Sequence, residues 1–153
     1  MALIPIEKGA KNEILRTVSS PVQKFDKKLR KFAKDMRETM FKANGIGIAA
    51  PQVGVNSRCF LALLDVNTKH ERVVFMANPE IVWKSEEMEE QEEGCLSLPG
   101  KYAPVSRHLK LQVYFFDLDG VRQSLELEDL NARIIQHEYD HIEGGLYIDR
   151  VGK

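Results

Sequence analysis

The segment Gln136-His137-Glu138-Tyr139-Asp140-His141 constrains this chain more than any other. His137 and His141 stand four residues apart, so a helix stacks them on one face, where both imidazoles can reach a single metal ion. Glu138 follows the first histidine directly. From there it reaches a water on that ion without being a ligand itself, which is the position of a general base. The flanks fit a helix: Leu130, Ile134, His137 and His141 recur at spacings of three and four, and Gly144-Gly145 is a stop signal.

The rest of the composition narrows the setting. A chain of 153 residues is enough for one domain with a real core and too short for two ordinary ones, so residues 1–153 are read as a single catalytic domain. Hydrophobic residues make up 43% and charged residues 29%, the balance of a soluble globular protein. The 22 basic and 23 acidic residues leave a net charge of −1, so no global field draws the chain to nucleic acid or to an anionic membrane. No apolar run reaches the length of a membrane span, and Met1-Ala2-Leu3-Ile4-Pro5-Ile6 lacks the features of a signal or transit peptide. Two cysteines, Cys59 and Cys95, make no disulfide framework. That favours a reducing, cytoplasmic setting in which a thiolate is free to bind metal.

Asp26 reads as the N-cap of a long helix running to about Asn44, with Leu29, Phe32, Ala33, Met36, Met40 and Ala43 as its apolar stripe. The opposite face carries Lys27, Lys28, Arg30, Lys31, Lys34 and Arg37. Asp35 and Glu38 interrupt it and no aromatics interleave, so it reads as a solvated exterior rather than a nucleic-acid surface. Next, residues 44–54 carry three glycines, at Gly45, Gly47 and Gly54. The run follows a helix and lacks Gly-Lys-Ser/Thr, so it is neither a dinucleotide fingerprint nor a phosphate loop; its small residues would let a ligand lie against the main chain. Residues 58–64, 72–78 and 81–84 read as strands, with His70 exposed in a turn and Cys59 packed in the first strand. Six of the eight residues from Glu86 to Glu93 are glutamates, a solvated face without calcium-loop spacing. Residues 102–116 read as one long alternating strand with His108 exposed, Asp119-Gly120 as a hairpin turn into 122–127, and 146–148 as a last short strand. The expected class is α+β, with antiparallel sheets surrounding the helix of the histidine motif.

Two histidines leave a tetrahedral metal short of one protein ligand if a fourth position stays open to water. Cys95 is the best candidate, because Gly94 and Pro99 punctuate its segment into a fixed extended piece. One thiolate and two neutral imidazoles leave a divalent ion with a formal charge of about +1, enough to acidify a bound water toward a pKa of roughly 7. The soft sulfur excludes magnesium and calcium and leaves zinc, ferrous iron, cobalt and nickel open. Hydrolysis at a carbonyl also needs oxyanion donors. Gln52, through its side-chain amide, and Leu96, through its backbone N–H beside Cys95, are the candidates.

Three segments, Gly45-Ile46-Gly47-Ile48-Ala49-Ala50-Pro51-Gln52, Glu93-Gly94-Cys95-Leu96-Ser97 and Gln136-His137-Glu138-Tyr139-Asp140-His141, resemble the three signature motifs of the peptide deformylase family in order and separation. Glu13-Ile14-Leu15-Arg16 and the long helix extend the resemblance over nearly the whole chain. It implies removal of the formyl group from N-formylmethionyl peptides and nascent chains, with release of formate. Cys95, His137 and His141 would then bind the metal, natively ferrous iron, with zinc, nickel or cobalt as alternatives. Glu138 would move a proton from the metal-bound water to the leaving amine, while Gln52 and the Leu96 N–H hold the oxyanion. Ile46, Gly47 and Gly94 would line the peptide main chain as for an added strand. Ile46, Leu130 and Ile134 would form the methionine pocket. Glu93 and Arg107 would pair to brace the cysteine strand, a pair worth little if exposed.

Departures from the family pattern are modest. Leu98 stands where valine or isoleucine is more usual. Arg133, one turn before His137, replaces an aliphatic residue found at the pocket wall in some members, and is expected to snorkel outward or to alter preference at the rim. The chain stops soon after Asp149-Arg150, without the C-terminal helix that some members use on the ribosome, so contact through that end is not expected. An H-E-x-x-H endopeptidase would draw its third ligand from downstream, where Glu143 lies too close. A non-catalytic module would lack Glu138 or Gln52, and a retuned deacylase would show itself on a panel of acyl peptides.

Overall fold

Helix α1 (Lys27–Lys42) starts on Asp26, whose carboxylate accepts the Leu29 N–H at 3.0 Å. Leu29, Ala33, Met36 and Met40 are buried along its apolar stripe, and the lysines and arginines opposite face solvent. The computed structural model describes residues 3–152. After α1 the chain runs through β1 (Gly47–Ala49), a 3-10 turn (Ala50–Val53), β2 (Cys59–Leu64), β3 (Arg72–Lys84), β4 (Met88–Cys95), β5 (Leu98–His108), β6 (Lys110–Phe116) and β7 (Arg122–Glu128). Helix α2 (Asp129–Ile142) and a second 3-10 turn (Tyr147–Arg150) complete it.

Five strands form one antiparallel sheet in the order β1-β2-β3-β6-β7, and β4-β5 form a separate hairpin. Apolar side chains on one face of the large sheet, among them Phe60, Met76, Leu111 and Val113, pack against Ala132, Ile135 and Ile142 of α2. Leu61 and Phe75 of the other face pack with the stripe of α1. Leu98 and Val105 of the hairpin meet Leu146 and Tyr147 in a third cluster. Helix α2 is thereby enclosed between sheet and hairpin, as the α+β expectation required. Gly144 lets the chain leave it: at φ +79 its Cβ would stand 2.7 Å from the Arg16 carbonyl oxygen.

The structure corrects several expectations. Residues 102–116 are two strands in different sheets, broken at Leu109. Its N–H donates to the Glu87 carbonyl at 3.0 Å and its own carbonyl accepts from Asp129 at 2.9 Å. Alternation runs through that break unchanged, so the pattern alone does not reveal it. Conversely, 72–78 and 81–84 are one strand, because a bulge at Asn78 (φ 49) absorbs the irregularity. The Asn78 side chain bridges the backbone N–H and C=O of Val22 at 2.8 and 3.0 Å. Residues 47–49 of the glycine-rich run pair with β2 as a short strand, and 146–148 lead into a 3-10 turn instead of a strand. His108 is half-buried rather than exposed, with Nδ1 2.6 Å from the Ser85 carbonyl. His70 is exposed and Cys59 buried, as read.

Candidate metal and catalytic site

Helical spacing on α2 sets the His137 and His141 rings 5.1 Å apart. The end of β4 brings Cys95 to them, its Sγ 3.4 Å from His141 Nε2, and one donor atom from each of the three residues lies within 4.8 Å of the others. Metal–sulfur and metal–nitrogen bonds of a tetrahedral zinc-like site imply a sulfur–nitrogen separation of about 3.5 Å, so this donor set fits one transition-metal ion. The hairpin reaches this position because the β4–β5 register shifts between Gly94 and Cys95. A Cβ on Gly94 would stand 2.6 Å from the Tyr102 ring.

The electrostatics around His137 also ask for positive charge. Burial alone would lower its pKa, but Cys95, Glu93 and Glu138 outweigh burial and push it up to about 10. A cation shared with the sulfur would answer the same demand. Burial, helped by His137 and Arg107, pulls His141 well below the usual imidazole range and keeps it a neutral donor.

Behind His137 stands a buried ionic network. Glu93 Oε1 meets His137 Nδ1 at 2.9 Å, which leaves Nε2 for a metal. Arg107 grips both Glu93 oxygens at 2.9 Å and reaches Asp140 at 2.7 Å. Arg150 holds the other side of Asp140 with two contacts of 2.7 Å. Burial opposes ionisation of Glu93, yet the hydrogen bonds from Arg107 and His137 win and hold its carboxyl well below the usual range. The Glu93–Arg107 pair is thus buried, not exposed as a weak surface pair would be. Arg133 is buried too and does not snorkel outward. It spans Glu93 (2.5 Å), the Val105 carbonyl (2.9 Å) and the Glu89 carbonyl (2.5 Å), tying the hairpin to α2.

Glu138 is buried with no hydrogen-bond partner for Oε1 among the described residues, and with Oε2 against β1 where a Cβ on Gly47 would press on it. Burial first, with Glu93 and Asp140 adding repulsion, pushes its pKa up to about 7 against the pull of His137 and Arg107. A carboxyl of that kind exchanges a proton readily near neutrality. Gln52 is locked by its own turn: Oε1 accepts the Ala49 N–H at 2.9 Å. Its Nε2 donates to Ser97 Oγ at 3.2 Å and lies 3.5 Å from Cys95 Sγ.

These residues open on a cleft of about 600 Å³. Ile46, Gly47, Gly94, Leu96, Leu130, Arg133 and Ile134 all line it, so every residue expected at the site falls there or beside the three donor atoms. Leu130 and Ile46 sit exposed at the rim, while Ile134 is buried. Sequence reasoning missed Ser97, Asp140, Arg150 and Tyr147, whose ring stacks 6.1 Å from His137. Ser97 and Asp140 adjoin motif residues and carried that weak signal; Arg150 and Tyr147 carried none.

Fold and constellation together define a hydrolase built around an H-E-x-x-H helix. Residues 6–153 match the family model for polypeptide deformylase. A peptide deformylase of Brucella suis biovar 1 is 46% identical over 140 residues, spanning 92% of this chain and 80% of that protein. Peptide deformylase from Thermotoga maritima superposes with a TM-score of 0.93 at 38% identity, covering 100% of both chains. A class I type b peptide deformylase from Acinetobacter baumannii, solved bound to Met-Ala-Ser, gives a TM-score of 0.91 at 34% identity over 98% of this chain and 99% of that one. The chain belongs to the peptide deformylase family, metallohydrolases that remove N-terminal formyl groups from nascent peptides. Among the described residues no helix is long and apolar enough to cross a membrane.

Proposed function

We propose that this chain, acting as one catalytic domain where nascent peptides emerge, hydrolyses the formyl amide of N-formylmethionyl peptides to formate and a free amine. The observation that carries the reading is the convergence of Cys95, His137 and His141 donor atoms within 4.8 Å, beside a buried Glu138 oxygen that has no partner among the described residues. Those three residues would hold one divalent ion, which supplies Lewis acidity to water and to the formyl oxygen. One thiolate and two imidazoles favour a borderline transition metal; we assign ferrous iron natively, and zinc, nickel or cobalt fit the same donors.

Glu138 takes a proton from the attacking water and returns it to the amine nitrogen as the carbon–nitrogen bond breaks. Gln52 Nε2, held by Ala49 and Ser97, and the Leu96 N–H donate to the oxyanion on the formyl carbon. Peptide main chain runs along Ile46-Gly47 and Gly94, and the methionine side chain lies against Ile46, Leu130 and Ile134. The Acinetobacter relative binds Met-Ala-Ser, the peptide that hydrolysis of formyl-Met-Ala-Ser would leave, which supports a substrate of this class. Arg133 acts from inside the cleft wall by holding Glu93, and contact with the ribosome is at most transient.

The test is formate release from formyl-Met-Ala-Ser, its acetyl counterpart and casein, using protein purified anaerobically and assayed for metal. Formate from the formyl peptide, with the acetyl peptide turned over at least about a hundredfold more slowly, is expected. Equal turnover of the two, or casein cleavage without formate, overturns the assignment.

A further inference from the structure

A second cleft, of about 650 Å³, lies between α1 and the far end of the large sheet, and shares no lining residue with the catalytic cleft. It exists because β6 accompanies β3 only from Ala77, opposite Phe116, onward. Along 72–76 the strand neighbour among the described residues is β2 alone. The orientation of the open edge follows from one hydrogen bond: Leu63 donates to the Ile46 carbonyl at 2.8 Å, so its backbone groups face β1. Val73 lies opposite Leu63, and Phe75 opposite Leu61, in the same phase. In an antiparallel pair such residues turn their N–H and C=O away from each other, so those of Val73 and Phe75 point into the cleft. Among the described residues no backbone hydrogen bond joins the β6–β7 turn across the cleft to them. That turn is closed on itself by Asp117 N–H to the Val121 carbonyl and Gly120 N–H to the Asp117 carbonyl, both 3.0 Å.

Side chains around this edge have a definite character. Leu61, Phe75, Leu118 and Leu125 give an apolar lining. Above them Arg30, Lys34 and Arg37 recur at helical spacing along one edge of α1, and Arg72 stands at the end of the strand. Arg30 pairs with Asp119 and Arg72 with Asp65, both exposed pairs of little strength. Lys34 makes no ion pair among the described residues, and Arg37 lies over the Phe41 ring at 5.2 Å.

We propose that this cleft takes an extended acidic peptide segment of a partner protein as an added strand on β3. Backbone groups of Val73 and Phe75 supply the pairing, the apolar lining takes alternate side chains, and the basic edge of α1 takes the carboxylates. Asp117 and Asp119 also line the cleft, and Asp119 is taken up by Arg30, so the cations open to a partner are Lys34 and Arg37. A second copy of this edge would bring those two against themselves. An RNA strand would meet the cations and leave the peptide groups and the apolar lining unused.

The probe is an N-acetylated peptide of alternating glutamate and valine, about eight residues long, which offers no formyl group. Anisotropy of its fluorescein conjugate and amide hydrogen exchange of the protein are the readouts. Binding is expected, with slowed exchange at the Val73 and Phe75 amides. Lys34→Glu/Arg37→Glu should weaken it about tenfold or more while formate release and Tm stay unchanged. The same peptide N-methylated at every residue should not bind. Absence of binding at about 1 mM peptide overturns the proposal. So does equal binding of the N-methylated peptide, unchanged exchange at both amides, or tighter binding of an oligouridylate of equal charge.

Discussion

Glu93 and Glu138 are both buried glutamates beside His137, with exposures of 7% and 4%, and their surroundings shift them in opposite directions. Glu93 takes hydrogen bonds from Arg107, Arg133 and the His137 ring, and its carboxyl stays ionised far below the usual range. Glu138 has one oxygen without a partner among the described residues, and burial lifts its pKa to about 7. Burial is common to both, so the partners decide the difference. A saturated carboxylate is a fixed strut that orients an imidazole. An unsaturated one, facing a cleft, would be free to move a proton, the role proposed for Glu138.

Substitutions should separate these two roles. Glu138→Ala is expected to lower kcat for formate release by about 10²–10⁴-fold while metal content and the unfolding midpoint hold, as read by assay, metal analysis and calorimetry. Glu93→Ala should do the reverse in kind, costing about 3–5 kcal/mol of unfolding free energy in denaturant titrations because Arg107 and Arg133 lose their buried counter-charge. Its metal affinity should fall about 10–100-fold in competition with a chelator, since His137 loses its orienting partner. A milder effect is expected of Gly47→Ala, whose methyl group must displace the Glu138 carboxylate without touching Glu93. That change should reduce kcat by about ten- to a hundredfold at unchanged metal content. Smallest is Asp26→Ala, remote from both glutamates, which should cost about 1 kcal/mol through the lost α1 cap and leave formate release alone. If Glu93→Ala spares stability, or Glu138→Ala sheds the metal, the two carboxylates do not divide the work in this way.

The helix of the histidine motif was legible because its information is local: two histidines and a glutamate at helical spacing state their own geometry. Cys95 was legible from the glycine and proline around it, and α1 from its cap and stripe. Of the two alternatives for Arg133, outward snorkelling failed because its surroundings come from a hairpin some 40 residues away in sequence, which folds over α2 and makes it a buried brace in the cleft wall. The strand break at Leu109 left no trace in the alternation, since both strands keep apolar residues in phase across it. The open edge of β3 was equally invisible. Residues 72–76 read as ordinary strand, and only the point at which β6 stops pairing decides whether their backbone groups are satisfied. Gln52 lay between these cases. Its glycine-rich neighbourhood marked the segment, but the partner that aims it, Ser97, comes from β4–β5.

The central claim is one cation held by one sulfur and two imidazoles, and X-ray absorption at the metal edge of anaerobically purified protein tests it most directly. The expected shell contains one sulfur at about 2.3 Å and two imidazole nitrogens near 2.1 Å, with the sulfur lost in Cys95→Ala. A shell of nitrogen and oxygen alone in the unaltered protein would contradict it.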